Sequence, residues 1–337
     1  MENIKNVSIS LALLLLLIGG QNGAQAKTIK IHGPEAAYGL ISEKILRQQI
    51  GFLSDSLCGG RATGTRGGSE AAFWLLRNFS QLGLEPLGET YVQHFYTLSG
   101  ATGRNIIGCI PASRKGFKDK YIIVAAHYDG LGVLGGRMYP GADKNASGVA
   151  AMLSVAKMLK YLNKYGRAFE SNIIIAALDA KEENLGGSAA LWSIIEEGGL
   201  INPESGEAIL PSQISFMVNI DQIGSSLSPL KSGREDYIIV LGCESGFNES
   251  LINLVNTQYG IGLDLAFDYY GSVDFTKLFY RKISDQKIFI ENGKPAIMFT
   301  SGITMNNNKT TDKPETLNMG VLKKRIYLIF HWLEKMI

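Results

Sequence analysis

The sequence predicts an α/β fold with a mixed, largely parallel central sheet and helices on both faces, in three layers. Three observations carry this. Short apolar runs rich in β-branched residues alternate with segments of helical spacing. Several runs are continuous, as in strands covered on both faces. Polar residues collect just after the runs, where open α/β sheets place their ligands. Strands are predicted over 121–126, 172–178, 216–220, 237–241 and 296–300. Between the first two, Val149, Met152, Leu153, Ala156 and Leu159 fall on one helical face, and helices are also predicted over 41–57, 69–82 and 321–337. No internal repeat is apparent.

The chain of 337 residues is 45% hydrophobic and 19% charged, with 39 glycines and no collagen-like period. That balance excludes disorder and allows a sizeable core. The first 26 residues read as a signal peptide: Lys5 precedes the apolar run Leu11-Ala12-Leu13-Leu14-Leu15-Leu16-Leu17-Ile18, and Ala24-Gln25-Ala26 offers a small-residue cleavage site. The expectation is an exported, periplasmic or extracellular protein whose residues 27–337 form one domain. The apolar run falls short of the roughly 20 residues of a comfortable membrane span, so no stable membrane anchor is expected. The formal net charge is +2, and removing the segment takes away Glu2 and Lys5 together, so the mature chain is also +2. A strongly basic footprint is absent and nucleic-acid binding is not expected. The sequence leaves the oligomeric state open. Cys58, Cys109 and Cys243 are odd in number and include no CxxC, against both a disulfide framework and a cysteine metal site. Buried inert thiols are expected.

Three strand ends deliver a histidine and carboxylates: His127 and Asp129 after the first run, Asp179, Glu182 and Glu183 after the second, and Asp221 after the third. A lone histidine is usually structural and a lone strand-end aspartate usually caps a helix. Their convergence instead points to metal-assisted hydrolysis, because imidazole and carboxylate are the common ligands of catalytic zinc.

The runs Ala126-His127-Tyr128-Asp129, Gly141-Ala142-Asp143-Lys144-Asn145-Ala146-Ser147-Gly148, Leu178-Asp179-Ala180-Lys181-Glu182-Glu183, Asn219-Ile220-Asp221-Gln222-Ile223-Gly224 and Thr311-Asp312-Lys313-Pro314 resemble, in order and spacing, the motifs of the dizinc aminopeptidases of metallopeptidase clan MH, a group similar to bacterial leucyl aminopeptidases. Gly60-Arg61-Ala62-Thr63-Gly64-Thr65 and Gly103-Arg104-Asn105-Ile106-Ile107-Gly108 resemble the family's N-terminal motifs. For an intact member the resemblance implies paired zinc ions that activate a water, a glutamate that takes its proton, and attack on a peptide carbonyl near a free N-terminus. His127 and Asp221 match ligands of one zinc, Glu182 a ligand of the other, and Asp129 the carboxylate that orients the histidine.

Three positions depart from the family pattern. Lys144 stands where the family has the aspartate that bridges both metals. An ungapped match places Lys181 at the base position, and Asn308 falls where the second ligand histidine belongs. An ammonium about 4 Å from a divalent ion would repel it by roughly 8 kcal/mol at an effective dielectric of about 20. The substitutions are therefore expected to replace metal charge, with Lys144 and Lys181 turned inward to neutralise Asp129, Glu182 and Asp221. Alternatives remain open at this level. The lysine stems could turn to solvent, a shifted alignment could return Glu182 and Glu183 to the base and ligand roles, or Asp143 could swing in as a bridge.

The expected function is that of an exported, non-catalytic pseudopeptidase binding a peptide or a small amine-bearing ligand, with zinc absent or confined to a single site. The alternative is an active metallo-aminopeptidase with an altered one-metal or dizinc site, in which a deprotonated Lys181 serves as base. A glutaminyl-cyclase-like reaction is a minor third reading. The aromatic stretch 264–281 (Phe267, Tyr269, Tyr270, Phe275, Phe279, Tyr280) is assigned to core packing, with a wall of the cleft as the alternative.

Overall fold

The computed structural model describes residues 33–114, 119–226, 230–231 and 233–337. The expected signal segment, residues 1–26, lies outside the described residues. In chain order the elements are α1 (Glu43–Leu53), α2 (Arg66–Leu82), β1 (Val92–Tyr96), β2 (Thr102–Ile110), β3 (Tyr121–His127), β4 (Val133–Leu134), β5 (Arg137–Met138), α3 (Gly148–Lys164), β6 (Asn172–Leu178), α4 (Gly186–Glu196), β7 (Ile214–Ile220), β8 (Tyr237–Leu241), α5 (Glu249–Gln258), β9 (Asp264–Ala266), α6 (Val273–Arg281), α7 (Gln286–Glu291), β10 (Ala296–Thr300) and α8 (Met319–Met336). Eight strands form one sheet in the order β1-β2-β6-β3-β7-β10-β8-β9, and β4 and β5 form a separate small hairpin. The central run β6-β3-β7-β10 is parallel, as is β8-β9; β1-β2, β2-β6 and β10-β8 are antiparallel. The four central strands therefore point their carboxyl ends to one edge of the sheet, which is where the site forms.

Side-chain alternation along the strands assigns the two layers of helices. Ile122, Val124 and Ala126 of β3 pack with Ile173, Ile175 and Ala177 of β6 against the large cluster built on α1, α2, α3, α5 and α8. Ile123 and Ala125, with Ile174, Ala176 and Leu178, face Leu191, Trp192 and Ile195 of α4 and Phe289 of α7. Ile239, Leu241 and Met298 face Phe279 and Tyr280 of α6. Every residue of β3, β6, β8 and β10 is buried, so these strands read as continuous apolar runs. Helix starts follow their caps: Ser42 Oγ accepts from Ile45 N–H at 3.2 Å before α1, and Thr65 Oγ1 accepts from Gly68 N–H at 3.1 Å before α2. Gly83, at φ 65°, ends α2 in the left-handed conformation.

All five predicted strands are present. β1, β2, β4, β5, β9 and helices α4 to α7 have no counterpart among the predicted elements. In β2 the obstacle is glycine: a Cβ on Gly103 would lie 2.3 Å from the Phe95 ring, and one on Gly108 would lie 2.9 Å from Leu84 Cβ. Close packing from outside the strand has removed the side chains that would reveal it. The three cysteines are free; Cys58 and Cys109 are buried and Cys243 is half-buried. Burial pushes the Cys58 thiol up to about 11 and the Cys243 thiol up to about 12, in keeping with inert thiols. No helix among the described residues is long and apolar enough to cross a membrane.

Candidate functional site: a cleft with paired lysines

Buried polar side chains brace the loops that leave the strand ends. The Arg61 guanidinium is fully buried and donates to the carbonyls of Leu53 at 2.5 Å, Tyr128 at 2.6 Å, Pro140 at 2.7 Å and Gly141 at 2.9 Å. Asn145 Nδ2 donates to Ile220 O at 2.9 Å, while its Oδ1 accepts from Gln222 N–H at 2.9 Å, tying the turn after β5 to the end of β7. Asp312 accepts from Asp143 N–H at 2.8 Å and Lys144 N–H at 3.0 Å. Asp179 accepts from Thr63 Oγ1 at 2.8 Å, Arg104 N–H at 2.9 Å and Tyr128 Oη at 3.0 Å. Gly141, at φ 60°, admits no side chain, because a Cβ would meet Lys144 O at 2.4 Å.

On this frame the expected residues come together. His127 Nδ1 lies 3.3 Å from Asp129 Oδ1, and its Nε2 lies 3.4 Å from Asp221 Oδ1. Both lysines point inward. Lys181 Nζ sits 3.6 Å from Asp221 Oδ2 and 3.6 Å from Glu182 Oε1. Lys144 Nζ lies 2.8 Å from Glu182 Oε1 and donates to Asn308 Oδ1 at 2.7 Å. Two further side chains lie apart from this group. Glu183 turns away and accepts from Ser99 Oγ at 2.6 Å, while Glu182 and Lys181 line the cleft. Asp143 Oδ1 is occupied by Gly224 N–H at 2.8 Å and Ser147 Oγ at 3.1 Å, so it bridges nothing in the cleft.

The electrostatics follow from burial against charge. Burial and Lys181 both push the His127 imidazolium down, but Asp129 and Asp221 outweigh them and raise it to about 9. Burial alone would raise the Asp221 carboxyl; Lys181 and His127 instead hold it well below the usual carboxylate range. Burial alone would lower the Lys181 ammonium, yet Asp221 and Glu182 hold it above its ordinary value. Lys144 and Lys181 thus lie against Glu182 and Asp221, and His127 against Asp129 and Asp221, while the buried Asp285 carboxyl, pushed up to about 6 by burial, also feels His127 and Lys181.

This arrangement does not fit a zinc pair. Lys181 stands between the Asp221 and Glu182 carboxylates that would face the metals, and Lys144 is ion-paired with Glu182. Among the described residues no group of three or more His, Cys, Asp or Glu side chains is placed to hold a metal ion.

The cleft above the network encloses about 410 Å³. Its walls include residues the sequence did not single out. Ser284 Oγ donates to Asp221 Oδ2 at 2.7 Å, and Lys282 and Met298 line the opening. The 264–281 stretch serves both readings, with Phe267, Tyr269, Phe279 and Tyr280 packed in or against the core. Tyr269 and Phe279 stack with ring centroids 4.2 Å apart and wall the cleft, Tyr280 is buried, and Phe275 and Tyr270 are exposed. Aromatic spacing alone cannot separate a packed wall from a packed core, since both bury one face of each ring.

Known structures share the fold. The LapA aminopeptidase of Legionella pneumophila is 18% identical with a TM-score of 0.62, over 96% of this chain and 80% of that one. BSAP, a zinc aminopeptidase from Bacillus subtilis, is 14% identical with a TM-score of 0.62, over 88% and 95%. The glutaminyl cyclase of Macrostomum lignano is 15% identical with a TM-score of 0.64, over 94% and 95%. No curated protein matches the sequence significantly. At these identities the likeness speaks for the fold alone. Membership rests on the family model for Peptidase family M28, which matches residues 105–333 and so spans every strand end that builds the cleft; the chain belongs to Peptidase family M28.

Proposed function

We propose that this M28 homologue is a non-catalytic, metal-independent pseudopeptidase whose cleft binds a peptide. The observation that carries the reading is the Lys181 ammonium, 3.6 Å from both Asp221 and Glu182, in the space where the family's chemistry needs cations and a base. The two lysines occupy the carboxylates that an amine-bearing ligand would seek, which favours a peptide over a small free amine. An apolar wall of Tyr269, Phe279 and Ile303 and a rim of Gln222, Asn307 and Asn308 fit an apolar side chain beside a hydrogen-bonding backbone. The leucine-rich segment after Lys5 supports export; N-terminal sequencing of the mature protein, expected to begin at Lys27, tests it.

The deciding experiment is zinc content per mole by plasma mass spectrometry, after dialysis against zinc and then zinc-free buffer, beside hydrolysis of aminoacyl-arylamides. Near-zero zinc and no turnover are expected, with short apolar peptides still binding by calorimetry. A content near two would restore a dizinc aminopeptidase, and a content near one with turnover would favour an altered hydrolase. The triple variant Lys144→Asp, Lys181→Glu, Asn308→His should gain zinc. If it binds none, the charge-replacement account fails.

A further inference from the structure

Strand β1 ends the sheet, and among the described residues no strand pairs with its outer side. Ile107 N–H donates to Tyr91 O at 2.7 Å and Thr97 N–H donates to Ala101 O at 2.9 Å. In an antiparallel ladder this places the backbone groups of Gln93 and Phe95 toward β2 and those of His94 and Tyr96 outward. Proteins usually blunt such an edge with lysine, proline or a bulge. The run Val92-Gln93-His94-Phe95-Tyr96-Thr97 has no lysine or proline and pairs with β2 without a bulge.

A groove flanks this edge on each face of the sheet. Toward α4, a cavity of about 650 Å³ is lined by Phe95, Leu98 and Ile194 and by the carboxylates Glu183 and Glu197. Toward α2, a cavity of about 280 Å³ is lined by Ala72, Phe73, Leu76, Val92 and Ile106. Tyr96 is 82% exposed and Leu98 92% exposed beside the edge. Successive side chains of an added strand point to opposite faces, so they would enter the two grooves in alternation. Glu183 and Glu197 accept hydroxyl protons from Ser99 and Ser193 and form no ion pair among the described residues.

We propose that the β1 edge takes an extended peptide as an added strand, with basic side chains toward α4 and apolar side chains toward α2. A second copy is the poorer occupant. Two-fold pairing of β1 with itself keeps like faces together and so brings Glu183 and Glu197 of both copies to the same side. The proposal goes beyond the reading of the cleft and is independent of it, because neither the lysine network nor the metal content enters it.

The test is fluorescence anisotropy of the full mature protein with a labelled peptide of about eight residues alternating lysine and valine. Two further versions are N-methylated on one or the other alternate set of amides. The unmodified peptide should bind. One methylated version should lose about tenfold or more in affinity and the other should bind nearly as well, because only alternate amides face the sheet. These comparisons leave the protein unaltered, so folding does not confound them. The double variant Glu183→Gln, Glu197→Gln should weaken binding about three- to tenfold and flatten its salt dependence. Absence of binding, or equal effects of the two methylated peptides, overturns the proposal. A dimer in sedimentation that His94→Pro dissociates also overturns it, in favour of self-pairing.

Discussion

The residues that brace the cleft and those that face it have had different fates. Arg61, Asn145, Asp179 and Asp312 match the family motifs and bind loop backbones to one another. Lys144, Lys181 and Asn308, one layer inward, depart from those motifs and bond to each other's neighbours. The difference teaches that the loops are positioned by hydrogen bonds to backbone, which do not require metal, so the cleft keeps its shape while its chemistry changes. What the cleft needed was charge balance, because several buried carboxylates without cations would each cost several kcal/mol.

The bracing layer should give the largest effect. Arg61→Met leaves the carbonyls of Leu53, Tyr128, Pro140 and Gly141 unpaired in the interior. At about 1 to 3 kcal/mol for each such group, the loss is expected to exceed about 4 kcal/mol and to prevent folding to the native state at 37 °C. Urea denaturation followed by circular dichroism checks this. A mild effect would show that the loops hold themselves. The facing layer should come next. Lys181→Met removes the cation that Asp221 and Glu182 share and leaves Asp221 to His127 and Glu182 to Lys144, for an expected loss of about 2 to 3 kcal/mol. Added zinc should not restore it, because Lys144 still holds the bridging place.

Much of this site was legible in the sequence because its residues punctuate apolar strands. His127, Asp221 and Lys181 each lie within three residues of a strand's last residue, where side chains must emerge at the sheet edge. The inward turn of both lysines was expected from charge once the family motifs had placed them beside Asp129, Glu182 and Asp221. Ser284 and Lys282 were not legible, because they follow a helix and no strand end marks them; Tyr269 and Phe279 stood out only as aromatic residues that could serve core or cleft wall. The grooves along β1 stayed hidden for another reason. An edge strand is half exposed, and its partner β2 owes its packing to Gly103 and Gly108, so neither shows the apolar run that reveals a central strand.

Acid titration sharpens the contrast between layers. Burial, and then Asp129, push the bracing Asp179 carboxyl up to about 6. A carboxyl whose folded value lies above its unfolded value of about 3.9 binds protons more tightly when folded. Its contribution therefore declines as pH rises from about 4 to about 6 and is level above that. Relative to Asp179→Asn, the wild-type protein should lose stability across this window, by at most about 3 kcal/mol. Denaturation midpoints of the two proteins at pH 4, 5, 6 and 7 measure it. The opposite slope would show that the Thr63, Arg104 and Tyr128 hydrogen bonds outweigh burial.

The smallest single effect is expected at Lys144, and it tests the network most directly. Its side chain is 12% exposed and that of Glu182 is 22% exposed, so water shares in their pairing, and Lys144→Met should cost only about 1 kcal/mol. Glu182 keeps Lys181 in that variant, and the Asn308 amide can turn to the open cleft. The same substitution made in Lys181→Met should cost more, because Glu182 then loses its second and last cation. A coupling of about 1 kcal/mol or more between the two positions is the expected mark of a shared partner. Strict additivity in a double-mutant cycle would mean that the two ammonium groups act on separate carboxylates, and the cleft would then hold two unrelated ion pairs instead of one network.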